Sequence, residues 1–499
     1  MSTHTQAGSV STSPPAGAEF VLFTLDSNRL ARAFAAVIGL SFVIGAFLAV
    51  GLALRPVGDA TVLSAEDLRR LYSVHGLFMV FLVAVPVIPA VFGNALLPRL
   101  LGVREMAWPR ANLTSFHLFL VGFAIFVAAA VASPPDAGWT QDTPFSLLHG
   151  SGVWWMGVGI SILCAATLCS CANVVATFWS AEACRANAPR SLFTWSLVVG
   201  SLAQAVAALL LSGALFLLVA ERAGASSLWS GHVAASASFA GWFWLAMNGA
   251  LGAVVVLAIG LVSEVVEGQR GTRPAADTLG VACLVAAVVA SFAGFGIHLP
   301  GRDASLSGAV GSSALALFSG VPFVILFARF WHTLSDGTVR MTSALLWTIS
   351  AMALTCTGGV AGIALAVLPT STWLEHTTYE TGVLHLLVAG GVVSAFLAGL
   401  QHVWRGWFGV EPGEGWGRFA CFLFYVGANL AFLPQLVLGV GGAARRGGPA
   451  VPGDLFWNGV SAWGGIVLAG ALILFGWNLI RAVMSAGEAS AAGSRERHA

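Results

Sequence analysis

LYSVHGLFMVFLVAVPVIPAVFGNALLP occupies residues 71–98. It contains no Asp, Glu, Lys or Arg. At about 1.5 Å per helical residue it is long enough to cross a hydrocarbon core of about 30 Å. Working outward, segments of the same kind recur near 30–54, 112–133, 153–180, 192–220, 236–263, 277–298, 305–331, 342–368, 381–404, 416–440 and 457–483. With 71–98 they make twelve, joined by short connections, which predicts an all-α integral membrane protein of twelve transmembrane helices in one domain over 29–484. Residues 1–28 are rich in Ser, Thr, Ala, Gly and Pro with no apolar core of signal-peptide type, and read as a flexible cytoplasmic tail. Residues 485–499 read as a second such tail.

The composition agrees. Hydrophobic residues make up 57% and charged residues 9% of the 499, against about 25% charged in a soluble protein. That excludes a soluble enzyme and a nucleic-acid binder, and a net charge of +1 points to no polyanionic partner. All 23 basic residues are Arg. Only Arg55, Arg69, Arg70, Arg222, Arg302, Arg445 and Arg446 fall on the side opposite the N-terminus. The positive-inside rule therefore places the N-terminus in the cytoplasm and the chain, multi-pass, in the cell inner membrane. Cys164, Cys169, Cys171, Cys184, Cys283, Cys356 and Cys421 lie in spans or at inner helix ends, so no structural disulfide is expected. There is no C-x-x-C-H, hence no covalently attached haem.

Polar residues converge at one level. His75 lies about four residues into the second span and His385 about four residues into the tenth, and both spans start at the outer face. Arg55 ends the first span on that side, and Arg445 and Arg446 follow the eleventh. Ionisable groups within spans are costly and tend to be functional. Two neutral imidazoles at matched depth would fill both axial positions of a porphyrin iron, and guanidiniums above them would pair with its propionates. Each histidine also has a bland reading, a polar tip wetted at the interface, which suits His117, His149, His232, His332 and His402. Spacing alone does not name haem.

Three segments carry a resemblance. HGLFMVFLVAVPVIPAVFGNALLPRLLGVREMAWPRANLTSF begins at His75, TGGVAGIALAV begins at Thr357, and FLPQLVLGVGGAARR ends at Arg446. In these, and in the order and spacing of its spans over about 30–483, the chain resembles subunit I of the haem-copper oxidases, the catalytic subunit of cytochrome c oxidase. The resemblance implies that family's twelve-helix bundle. It implies that His75 and His385 are the two axial ligands of a low-spin haem, of type b or a, with Arg445 and Arg446 as propionate partners and Arg55 near the haem edge.

The same resemblance exposes departures. Where the family has a copper-ligating His and a cross-linked Tyr on the sixth helix, this chain has Asn248 and Gly252, with Ala250 at the position of the intervening Glu. The paired copper-ligating histidines become Ile297 and His298, the high-spin haem ligand becomes Val383, and the Lys of a proton channel becomes Leu326. Copper needs several imidazoles at set geometry, and an aliphatic side chain has no lone pair to give iron. These changes read as a dismantled oxygen-reducing centre, with copper absent. Glu105 stands for the Asp at a second proton channel, and Glu375 and His376 stand near a magnesium site with their donors in swapped order; a solvated loop acid is the plainer reading of each.

The expectation is an electron-transfer subunit of a respiratory membrane complex that works with other membrane or periplasmic redox subunits, with quinol or cytochrome c as exchange partners and no nucleic acid. Two alternatives stay open. One is an active terminal oxidase or nitric oxide reductase subunit with an atypical site that recruits His298 and His376, with Asn248 or Glu380 nearby. The other is a haem-handling or assembly protein.

Overall fold

The computed structural model describes residues 21–54, 64–141, 151–224, 233–298, 305–335, 339–445 and 454–498. Among these residues, twelve helices are long and apolar enough to cross a membrane: α1 Ser27–Ala53, α2 Glu66–Leu101, α3 Pro109–Ala132, α4 Gly152–Ala186, α5 Leu192–Ala220, α6 Phe239–Arg270, α7 Thr278–His298, α8 Leu306–Ser335, α9 Ser343–Ala366, α10 Thr378–Phe408, α11 Glu414–Val440 and α12 Leu455–Ser485. Each matches an expected span, and the ends differ by a few residues where polar turns join the helix. The helix that contains α12 continues to His498.

Hydrogen bonds at the helix ends show that the spans alternate in direction. On the face where α1 begins, called here the lower face, the Ser27 amide and hydroxyl both donate to Glu105, which follows α2, at 2.9 and 2.5 Å. The Ala107 and Trp108 amides donate to Thr177 and Asn173 near the end of α4. The Ala276 amide, before α7, donates to the Arg190 carbonyl, before α5. Arg270, at the end of α6, reaches the Thr333 carbonyl at the end of α8, and the Ser343 amide at the start of α9 reaches Glu414 at the start of α11. On the upper face, the Gly138 amide after α3 donates to Ser73 near the start of α2. Odd helices thus run up and even helices run down.

Chain neighbours pack side by side, and α12 returns to contact α1. Three helices lie inside. The most apolar windows of α2, α6 and α10 are 78%, 89% and 61% buried, against 44% or less for the other nine. In a bilayer, apolar character cannot sort inner helices from outer ones, because lipid is as apolar as a core; close packing through small residues does so instead. At the α11–α12 contact a Cβ on Gly464 would meet the backbone of Ala431, and one on Gly427 would meet the backbone of Leu468. A buried pair also links α2 to α3, where the Asn112 amide donates to the Asn94 side-chain oxygen at 2.5 Å.

Glu105 differs from its plain reading as a solvated loop acid. Its carboxylate accepts from the backbone and hydroxyl of Ser27, and so caps the start of α1 across a separation of 78 residues. Helix N-termini leave amides without partners, and a carboxylate there gains from both hydrogen bonding and the helix dipole. Glu105→Ala is expected to lower stability by about 1.5–3 kcal/mol, the range for hydrogen bonds to charged groups, read as a lower thermal unfolding midpoint of the detergent-solubilised protein. An unchanged midpoint would remove Glu105 from the anchoring of α1.

Candidate functional site

The upper half of the bundle brings two imidazoles close together with nearly parallel planes. His75 of α2 and His385 of α10 have ring centroids 6.2 Å apart and planes inclined by 13°. His75 Nδ1 lies 2.9 Å from the Gly45 carbonyl of α1, and His385 Nδ1 lies 2.7 Å from the Thr381 carbonyl one turn before it. A carbonyl can only accept, so each Nδ1 carries the proton and each Nε2 keeps its lone pair. That is the tautomer a metal-ligating imidazole needs, fixed by the partner such ligands commonly have. Two neighbouring imidazoles with unprotonated Nε2 atoms are a donor set that would suit a haem iron.

Local backbone geometry produces this aim. α2 is α-helical over Ala65–Leu77, then widens to a π-helix over Phe78–Ala84 and again over Pro89–Gly93. In α10, the π-helix runs His385–Val392 and starts at the histidine itself. Wide turns of this kind are rare and collect at functional sites. Neither was foreseen from sequence, although Pro86 and Pro89 break the amide ladder in α2, and Gly390 with Gly391 leave α10 with little side chain to resist a wide turn. The rings are held from the sides as well. Phe432 of α11 stacks on His385 at 4.9 Å, and Gly45 lets α1 approach closely, because a Cβ there would press on Met79.

The loop after α11 closes over the start of α10. The Thr378 amide donates to the Ala443 carbonyl and the Arg445 amide to the His376 carbonyl, both at 2.9 Å. Arg445 Nη1 then reaches Glu380 Oε2 at 2.8 Å, with both side chains largely buried. The structure therefore brings Arg445 to the helix that carries His385 and gives it a carboxylate partner there. Arg55 and Arg446 lie outside the described residues. Glu375 and His376 are 4.0 Å apart, and His376 is 80% exposed. No group of three or more His, Cys, Asp or Glu side chains suited to a metal ion occurs among the described residues.

Several of the substituted positions are buried or closely packed. On α6, a Cβ on Gly249 would run into the ring of Phe292, and one on Gly252 into the side chain of Ser291, both from α7. Ala250 and Leu326 are buried, and Val383 is buried in a small cluster with Leu374 and Tyr379. His298 stacks on Trp244 at 4.0 Å. A phenol at position 252 would have to displace α7.

Comparison with known proteins identifies the family and the fold. Residues 29–477 match the model of the family described as Cytochrome C and Quinol oxidase polypeptide I. Cytochrome c oxidase subunit 1 of Bacillus subtilis is 28% identical over 480 residues, which covers 92% of this chain and 75% of that protein. A probable cytochrome c oxidase subunit 1-beta of Nocardia farcinica is 27% identical, covering 88% and 75%. Quinol oxidase subunit 1 of Bacillus spizizenii is 25% identical over 77% of this chain and 60% of its own length. A haem-copper terminal oxidase dimer solved by cryo-electron microscopy superposes with a TM-score of 0.69 at 15% identity, over 93% of this chain and 84% of that one.

The α6–α7 packing can be tested directly. Gly252→Tyr is expected to cost about 1–3 kcal/mol from overpacking, seen as a lower unfolding midpoint, whereas Gly311→Ala on α8, where a Cβ meets nothing within 4 Å, should not lower the midpoint. Equal midpoints for wild type and Gly252→Tyr would mean that the α6–α7 contact opens readily.

Proposed function

The chain belongs to the Cytochrome C and Quinol oxidase polypeptide I family, and on that footing we propose that it holds one low-spin haem, of b or a type, and carries electrons within a respiratory membrane complex without reducing oxygen itself. The observation that carries this reading is the near-parallel pair His75 and His385 with ring centroids 6.2 Å apart and both Nδ1 protons committed to carbonyls. Such a haem would supply one-electron exchange when bound. His75 and His385 would ligate it, and Arg445, Arg446 and Arg55 would face its propionates and edge.

What stands at the other family positions supports the absence of a second metal centre. Asn248, Ala250, Gly252, Ile297 and Val383 offer no imidazole, phenol or carboxylate, and α7 packs closely against α6 at Gly249 and Gly252. The competing assignment, an oxidase or nitric oxide reductase with an atypical centre, would need His298 and His376. His298 is stacked on Trp244, and His376 is largely exposed beside Glu375. The Arg distribution supports a cytoplasmic lower face and an inner-membrane location. The histidine pair would then lie near the periplasmic side, within reach of a quinol in the membrane or a periplasmic redox subunit such as a cytochrome c.

Two outcomes are expected of the purified protein. Its dithionite-reduced spectrum should show one haem per chain and no shift on adding carbon monoxide, and His75→Ala or His385→Ala should abolish the six-coordinate signal. Two haems with a carbon monoxide shift would restore the oxidase assignment, and weak, substoichiometric haem would favour haem handling. Glu380→Gln should also raise the haem midpoint potential, because removing a negative charge near the iron disfavours its oxidised form. An unchanged potential would place the Glu380–Arg445 pair outside the field of the haem.

A further inference from the structure

The lower face holds a second polar concentration, unrelated to the histidine pair. A cavity of about 760 Å³ opens there between the ends of α2, α6 and α10, lined by Arg99, Leu100, Arg273, His402, Arg405 and Gly406. Every ionisable side chain on its wall is an arginine or a histidine. The carboxylates nearby stand behind the wall or outside it. Glu264 is fully buried and accepts from Arg273 Nε at 2.9 Å, and Glu267 lies one turn further along α6, also buried. Arg405 pairs with Glu411 in solvent at 2.8 Å, with both side chains more than two-thirds exposed, so this bond is weak and readily exchanged.

Among the described residues of the wall, Arg99 is an uncommitted donor, and the imidazole of His402 is buried without a hydrogen-bond partner. Arg99 makes no hydrogen bond or ion pair with any described residue, although it lies within electrostatic reach of Arg273 and Glu264. His402 Nε2 is buried with no hydrogen-bond partner; the Glu264 oxygen beside it is 3.7 Å away, too far for a hydrogen bond. The position of His402 is also specific, because a Cβ on Gly268 would collide with its ring. A concave wall of guanidiniums with an adjacent imidazole suits a tetrahedral oxyanion, whose oxygens accept forked N–H pairs. The level in the membrane narrows the source. Arg99 ends α2, and Arg405 lies between Trp404 and Trp407 near the end of α10; tryptophan marks the headgroup layer, and basic pockets between helix ends on the cytoplasmic side suit anionic lipid headgroups.

The geometry points to a phosphate-binding site in this recess, at the depth where a phospholipid carries its phosphodiester. The test uses native mass spectrometry of the full-length protein in detergent, wild type against Arg99→Gln, with phosphatidylglycerol, phosphatidylcholine or inorganic phosphate added. Arg99 is exposed and makes no ion pair, so the variant should keep its unfolding midpoint without added ligand, which serves as the folding control. Wild type should retain phosphatidylglycerol over phosphatidylcholine, and Arg99→Gln should weaken that retention about five-fold, the effect of removing one arginine near an anionic headgroup. Arg99-dependent binding of inorganic phosphate with no preference between the lipids would also support the site and assign it to a soluble phosphate compound. Retention of phosphatidylglycerol that is the same in both proteins, with no Arg99-dependent phosphate binding, would overturn the proposal.

Discussion

The arrangement of this molecule depends on two hydrogen bonds, from the Nδ1 of His75 and of His385 to backbone carbonyls. A histidine can present either nitrogen, and a ring free to turn would present neither reliably. Binding Nδ1 to the Gly45 carbonyl ties the aim of His75 to the seating of α1, and therefore to the close contact that Gly45 permits with Met79. Binding the other ring to Thr381, within α10, ties its aim to the turn that precedes the π-helix. The neighbouring elements act on the same pair. α11 supplies Phe432, and the loop after α11 pins the start of α10 through backbone pairing and the Arg445–Glu380 ion pair.

Of the positions that depart from the family resemblance, Asn248, Ala250 and Gly252 lie on α6 and Ile297 and His298 end α7, whereas Leu326 lies on α8 and Val383 stands on α10 two residues before His385. Where α6 meets α7, small residues are used for contact between helices. Gly249 accommodates Phe292, and Gly252 accommodates Ser291. The α6–α7 contact is close at both glycines, and α6 has the most buried apolar window of the twelve helices.

Much of this was legible in the sequence because membranes impose simple rules. Length and apolar content alone fixed the number of spans and nearly all their limits, and the depth of His75 and His385 in oppositely placed helices already put them at one level. The π-helices were not legible, because a wide turn differs from an ordinary one by a single residue and leaves the apolar pattern almost unchanged. Partnerships across long separations were also hidden. Nothing local to Glu105 announces Ser27, and nothing near Glu380 announces Arg445. Glu264 and Glu267 close an otherwise ordinary helix end in sequence, and only the approach of α10 through Gly268 shows that they are buried behind a wall of donors.

The π-helix at His385–Val392 has a consequence for how the chain tolerates changes in length. A π turn is in effect an α-helix that has absorbed an extra residue, and each α-helical residue advances the chain by about 100°. His385 lies before this slip in phase, and Gln401, His402 and Arg405 lie after it. Deleting one residue within the wide turn would let it close to an ordinary α turn with both ends of α10 still in phase, whereas the same deletion in the α-helical stretch between Val393 and Leu400 would swing the lower end by roughly a quarter turn. His402 would then leave its seat over Gly268, and Gln401 its bond to Ser343. The wide turn is thus the place in α10 where a change in the residue count can be absorbed.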